Sequence, residues 1–189
     1  MEKQQAELQA FLAQNALTTV LGRSAPELRK LPLWGVSNIA DKDINFSWPN
    51  AEDAHLIAPI ESIRFWFKDT NTVCMRGVQF FHTNQMISPM FSTGDLTQIY
   101  IGVDGEVIKQ TRQVQACCRE TQRDSIKSIA FFDKNGAQLF DMNHYRREIG
   151  VPLPIAKLEP SEEIIGGYGV SNRQKFITSF GLIVLKRPH

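Results

Sequence analysis

The sequence has no run approaching the ~20 apolar residues of a membrane-spanning helix. It also lacks a basic start followed by an apolar stretch, so no secretory signal is read at its beginning. An excess of one charge is missing too: 21 Lys and Arg face 20 Asp and Glu. That balance removes the electrostatic footprint of a nucleic-acid binder and gives no reason to expect insertion in, or attraction to, an anionic membrane. Cysteine is scarce. Cys74, Cys117 and Cys118 are odd in number, and two are adjacent, which is no disulfide framework. A reducing compartment is the simplest expectation, and the chain is read as cytoplasmic.

Signatures of catalysis are equally thin. The cysteines lack C-x₂₋₄-C spacing, and His55, His82, His144 and His189 are dispersed, so no metal is expected. Gly166-Gly-Tyr-Gly169 has neither nucleotide-loop spacing nor a following helix. Cys74 with His82, or Cys118 with His144, could form a thiol pair. Neither stands in a recognised local signature, and free cysteine is commonly a small buried apolar residue. Asp133, Asp141 and Glu148 would make an acid pair only by tertiary proximity. The expectation is a protein that needs no cofactor and is not an enzyme.

What is present falls into three parts. Residues 1–32 read as an N-terminal helical arm. Ala, Gln, Glu and Leu are good helix formers, and Leu8, Phe11, Leu12, Leu17, Val20 and Leu21 approximate one stripe. Ser24-Ala-Pro-Glu27 has capping-box form, predicting a short second helix through Leu31 that Pro32 ends. Residues 33–59 read as an irregular connector holding one short strand at Ile44–Trp48, with Trp34 and Trp48 as packing residues. Residues 60–189 read as β throughout. Ile63, Phe65 and Phe67 alternate along one strand, and Arg76–His82 form another. Met86, Ile87, Met90 and Phe91 then form an apolar cluster.

The β region repeats itself. Met75-Arg-Gly-Val-Gln-Phe-Phe81, Ile126-Lys-Ser-Ile-Ala-Phe-Phe132 and Ile177-Thr-Ser-Phe-Gly-Leu-Ile183 align at a spacing of 51 residues both times. Thr83-Asn-Gln85 and Lys134-Asn-Gly136 follow the first two as turns. Ile63, Ile108 and Ile165 are assigned as the starts of the preceding strands. That gives the middle unit a longer loop around Cys117–Asp124. Glu162-Glu-Ile-Ile-Gly-Gly-Tyr-Gly169 reads as strand and glycine-rich loop leading to the last strand. Three β units without intervening helices suggest a pseudo-threefold all-β domain. Val78 and Phe80, Ile129 and Phe131, and Phe180 and Leu182 would share one core, which limits open sheet edges.

With Ser125-Ile-Lys-Ser-Ile-Ala-Phe-Phe132, Asn135-Gly136 and the last strand pair, the chain resembles the jacalin-related, or β-prism I, family over roughly residues 44–186. The resemblance implies three antiparallel Greek-key sheets forming a prism, and for many members metal-free binding of mannose or galactose. In such lectins the last loop carries Gly-x-x-x-Asp, whose carboxylate accepts bonds from sugar hydroxyls. The matching positions here are Gln174 and Thr178. One hydroxyl replaces a charged double acceptor, and charge-assisted bonds are roughly twice as strong as neutral ones. The leading expectation is therefore a non-enzymatic interaction or structural module, contacting other protein subunits of an intracellular assembly through Leu8, Phe11, Leu12, Met86, Ile87, Met90 and Phe91. The alternative is a divergent lectin holding carbohydrate at Gly166, Gly167, Tyr168, Gly169, Gln174, Lys175, Phe176 and Thr178.

Overall fold

The alternating and glycine-rich stretches form fourteen strands among the described residues: β1 Glu27–Lys30, β2 Trp34–Gly35, β3 Asp43–Trp48, β4 Ile60–Phe67, β5 Met75–His82, β6 Phe91–Ser92, β7 Tyr100–Asp104, β8 Gln113–Cys118, β9 Ile126–Phe132, β10 Gln138–Asp141, β11 Val151–Pro152, β12 Ala156–Lys157, β13 Glu162–Asn172 and β14 Ile177–Lys186. Among the described residues one short α-helix, α1, spans Gly105–Gln110. The computed structural model describes residues 27–35, 43–50, 53, 56–67, 74–92, 100–118, 126–142, 150–172 and 177–186. The helical stripe of Leu8, Phe11 and Leu12 lies outside these residues, as do Gln174, Lys175 and Phe176. Among the described residues no helix is long and apolar enough to cross a membrane.

The strands make three antiparallel sheets. The first has the order β6-β5-β4-β7, a Greek key built from one continuous stretch. The second repeats this plan as β10-β9-β8-β11, with β12 also on β8. In the third, β14 and β13 form the central hairpin. β1 and β2 pair with β14, and β3 pairs with β13. It therefore takes strands from both sides of the boundary expected at residue 60. Pairing decides against the short helix through Leu31. Glu27, Leu28, Arg29 and Lys30 lie opposite Lys186, Leu185, Val184 and Ile183, and Leu31 N–H donates to the Leu182 carbonyl at 2.9 Å. A capping box is worth only a few tenths to about two kcal/mol, less than a full strand of ladder bonds plus a buried leucine.

The three expected repeat starts, Met75, Ile126 and Ile177, begin β5, β9 and β14. Their inward rows meet as the repeat suggested. Val78, Phe80, Ile129, Phe131, Phe180 and Leu182 are all fully buried in one core. Phe65 meets Phe180 edge to face, with ring centroids 6.0 Å apart.

Ile108 does not begin a strand. It is the buried residue of α1, which Asp104 caps by accepting from the Glu106 N–H at 2.8 Å. The partner of the second hairpin is β8, where Val114 opposes Phe131 as Ile63 opposes Phe80. The connections from Phe67 to Met75 and from Cys118 to Ile126 are then of equal length, so the middle unit carries no longer loop. The expected turns are present. Asp133 accepts from the Asn135 and Ala137 N–H groups at 2.8 Å each, and the Gln85 N–H bonds the His82 carbonyl.

Gly166–Gly169 is strand rather than loop. Its glycines are required by neighbours on both sides. A Cβ on Gly166 would overlap the Trp48 carbonyl oxygen, and one on Gly169 the Ser179 carbonyl oxygen. At Gly167 a Cβ would come 2.7 Å from Phe80 and 2.9 Å from Phe180. Close approach of backbone and ring, not turn chemistry, selects glycine here.

Candidate ligand-binding site

The registers place the β4–β5, β8–β9 and β13–β14 connections at one end of the prism, together with those leading from β2 to β3, β6 to β7 and β10 to β11. Helix α1 occupies the opposite end, between the close of β7 and the start of β8. Thr178 therefore sits near the multi-loop end, where the resemblance puts a sugar-binding acid. It is the extra residue of a β-bulge, because Val170 pairs with Ser179 and Ser171 with Ile177. Its hydroxyl donates to the Val170 carbonyl at 3.2 Å. Thr178 thus spends its donor within its own hairpin and brings no charge.

The bulge recurs in threes. Trp66 pairs with Gly77 and Phe67 with Met75, leaving Arg76 extra. Cys117 pairs with Ser128 and Cys118 with Ile126, leaving Lys127 extra. Arg76, Lys127 and Thr178 stand at equivalent positions of the repeat. The 51-residue spacing could have grouped them; the bulge itself has no sequence signal.

Below this end, on the third sheet, lies a cleft of about 370 Å³. β1 and the residues after it contribute Lys30 and Leu33, β3 contributes Asn45 and Ser47, and β13 contributes Tyr168 and Gly169. Of the expected ligand residues, Tyr168 and Gly169 come together here, while Gly166, Gly167 and Thr178 do not line the cleft. Tyr168 faces Gly181 across the β13–β14 pair, and a Cβ on Gly181 would strike its ring at 2.5 Å. The bare strand lets the ring reach across to β1. There its hydroxyl donates to the Leu31 carbonyl, and the Lys30 ammonium stands 4.8 Å from the ring centroid. Burial raises the Tyr168 pKa, so the hydroxyl stays a neutral donor at physiological pH. Among the described residues that line the cleft none is acidic. Lys30, Asn45 and Ser47 were not singled out from sequence, because they converge only through strand pairing.

A second cleft, of about 410 Å³, lies at the α1 end, with Ile60, Ile108 and Ile164 beneath Glu61, Asp104 and Glu163. The expected partner cluster divides. Ile87 and Met90 are 53% and 38% exposed, whereas Phe91 stacks on Phe46 at 4.7 Å and Met86 packs against Ile57, Ile165, Ile183 and Leu185. Cys74, Cys117 and Cys118 form no disulfide. His82 makes no use of Cys74 in its ring bonds. Nδ1 lies 2.9 Å from the Ala58 carbonyl, and Nε2 accepts from Trp48 Nε1 at 3.4 Å.

The sequence matches no protein-family model and no curated protein. Its architecture has solved counterparts. A mannose-specific jacalin-related lectin from Morus nigra, solved with mannose, matches at a TM-score of 0.54 and 15% identity, over 86% of this chain and 96% of the lectin. AcmJRL, a mannose-binding jacalin-related lectin from Ananas comosus, matches at 0.55 and 12%, over 86% and 99%. The fold is that of the jacalin-related lectins. A prostate-specific WGA16 glycoprotein lectin extends the set at 0.54 and 13%, over 84% of this chain and 100% of that one. At such identities the likeness is one of fold. The jacalin fold explains why the third sheet takes strands from both halves of this chain and why six connections gather at one end.

Proposed function

We propose that this chain is a non-enzymatic carbohydrate-binding protein of lectin type. The observation that supports this reading is the match, over more than four-fifths of the chain, to three lectins of the same fold. Thr178 spends its hydroxyl on the Val170 carbonyl, and the separate cleft at Tyr168 offers an aromatic ring beside an ammonium, an amide and a hydroxyl. A few directional polar groups around an apolar surface are what orient a small polar ligand. A glycan array carrying neutral and acidic glycans tests it. Binding to a chemically related subset, confirmed by calorimetry, is expected. A blank array from protein that melts cooperatively overturns it.

A second reading, contact with other protein subunits, draws on the exposed Ile87 and Met90. Leu56 is 55% exposed, and its carbonyl accepts from Asn84 Nδ2 in the neighbouring turn. Ile87→Asp with Met90→Asp should then release a co-purifying subunit without altering the melt. Unchanged co-purification argues against it.

A further inference from the structure

We propose that the cleft on the third sheet selects an acidic sugar, a pyranose bearing a carboxylate, with Lys30 as the residue that sets the specificity. This rests on the carbohydrate-binding reading and names its ligand class. Four features of the cleft point the same way.

Its volume of about 370 Å³ is at the lower end of ligand pockets, suited to one or two sugar rings rather than a peptide. Among the described lining residues Lys30 is the one ionic side chain. A carboxylate entering the cleft therefore meets a cation. The cation is also guided. The Tyr168 ring, pinned at its hydroxyl by Leu31 and backed by Gly181, holds the ammonium 4.8 Å from its centroid. Less side-chain freedom is then lost on binding. Neutral recognition comes from the opposite wall, where Asn45 offers both donor and acceptor and Ser47 a hydroxyl, matching the paired hydroxyls of a pyranose. Leu33 supplies apolar contact for the C–H face of the ring.

The test is a titration of the full chain, followed by amide chemical shifts, with D-glucuronic acid, D-glucose and acetate as separate probes. Glucuronate should give saturable shifts clustered at Lys30, Asn45, Ser47 and Tyr168. Glucose should bind at least about tenfold more weakly, the worth of one charge-assisted bond. Lys30→Gln should lower glucuronate affinity to the glucose level, Lys30→Arg should retain most of it, and raising the salt should weaken only the glucuronate response. Lys30 is exposed on an edge strand, so these variants should fold, as a cooperative melt will show. If acetate binds as tightly as glucuronate, the cleft is a bare anion contact and the proposal fails. If glucuronate or glucose shifts cluster at Thr178 and its hairpin, and Lys30→Gln changes nothing, the lectin reading stands while the cleft assignment falls. If no probe binds and the glycan array is blank, both fall.

Discussion

The first and second hairpins obey one rule, and the third breaks it. Residues facing one another across β4–β5 and across β8–β9 are related by the same offset of 51. Ile63 opposite Phe80 becomes Val114 opposite Phe131, and Phe65 opposite Val78 becomes Ala116 opposite Ile129. In the third hairpin the corresponding inward positions are Gly167, opposite Leu182, and Gly169, opposite Phe180. At these paired positions two sheets fill the core with side chains from both hairpin strands, while the third fills it from β14. The vacated space is taken by Phe80, Phe180 and Phe46, which lie against the bare β13 backbone. Pseudosymmetry of the backbone therefore does not require equal volume from each unit, only a filled axis.

The largest expected effect concerns how the third sheet is closed. Arg29 reaches from β1 across β14 to Glu162, with Nε and Nη2 at 2.6 and 2.5 Å from the two carboxylate oxygens, and Glu162 also accepts from the Glu159 N–H at 2.8 Å. The Glu162 side chain is 2% exposed. Arg29→Ala should cost about 1–3 kcal/mol in urea denaturation, because the Glu162 carboxylate loses its two guanidinium bonds while the half-exposed arginine leaves room for water. Deleting residues 27–31 removes the whole strand and the fully buried Leu31, and should abolish cooperative unfolding. A deletion variant that melts like the parent would make β1 an ornament of the sheet.

Next comes the glycine contrast itself. Gly169→Ala drives a methyl into the Ser179 carbonyl and should destabilise by about 3 kcal/mol, the upper range of overpacking. Ala116→Gly, its counterpart, only deletes a buried methyl and should cost about 1–2 kcal/mol. Equal losses in thermal melts would mean that both positions report burial alone.

Smaller effects follow from pH. Burial lowers the His82 pKa, against a weaker opposing bond to Ala58, and the neutral ring accepts from Trp48 to tie β5 to β3. Its contribution is complete above the unfolded value of about 6.5 and is lost as pH falls through the depressed folded value. The hydrogen bonds from Arg29 chiefly lower the Glu162 pKa. That contribution is present above about pH 4.3 and disappears at lower pH, through the folded value. Denaturation midpoints measured from pH 8 to 3 should show two successive declines. His82→Gln should remove the upper one and Arg29→Ala the lower. The smallest expected signal is that of neutral sugar: calorimetry with free mannose or galactose at millimolar concentration should give no saturable heat. Binding abolished by changes at Thr178 would return the site to the multi-loop end.

The repeat is legible in the sequence because strand starts recur with inward apolar residues: Met75, Ile126 and Ile177 stand 51 residues apart and begin β5, β9 and β14. The error at Ile108 arose from following residue type instead of spacing. The offset that relates the β5 and β9 rows, applied to Ile63, leads to Val114. Glu27–Lys30 was illegible as strand because two of its four residues are exposed and its local pattern suits a helix start; only distant β14 decides its form. The glycines were read as loop because sequence does not reveal that Trp48, Phe80 and Ser179 press on them. The cleft was hidden for the same reason, its walls being drawn from residues 30–33, 45–47 and 168–170.

Glu27 lies directly opposite Lys186, so their Cα atoms are roughly 5 Å apart. A circular permutant could join β14 to β1 by a tight turn and open the chain between β3 and β4. The third sheet would then read β13, β14, β1, β3 along the chain, with the same spatial order as the other two. Its longest sequence separations would collapse to hairpin length. Since folding slows as contacts become less local, the rearranged chain should refold faster than the natural one while keeping the same prism.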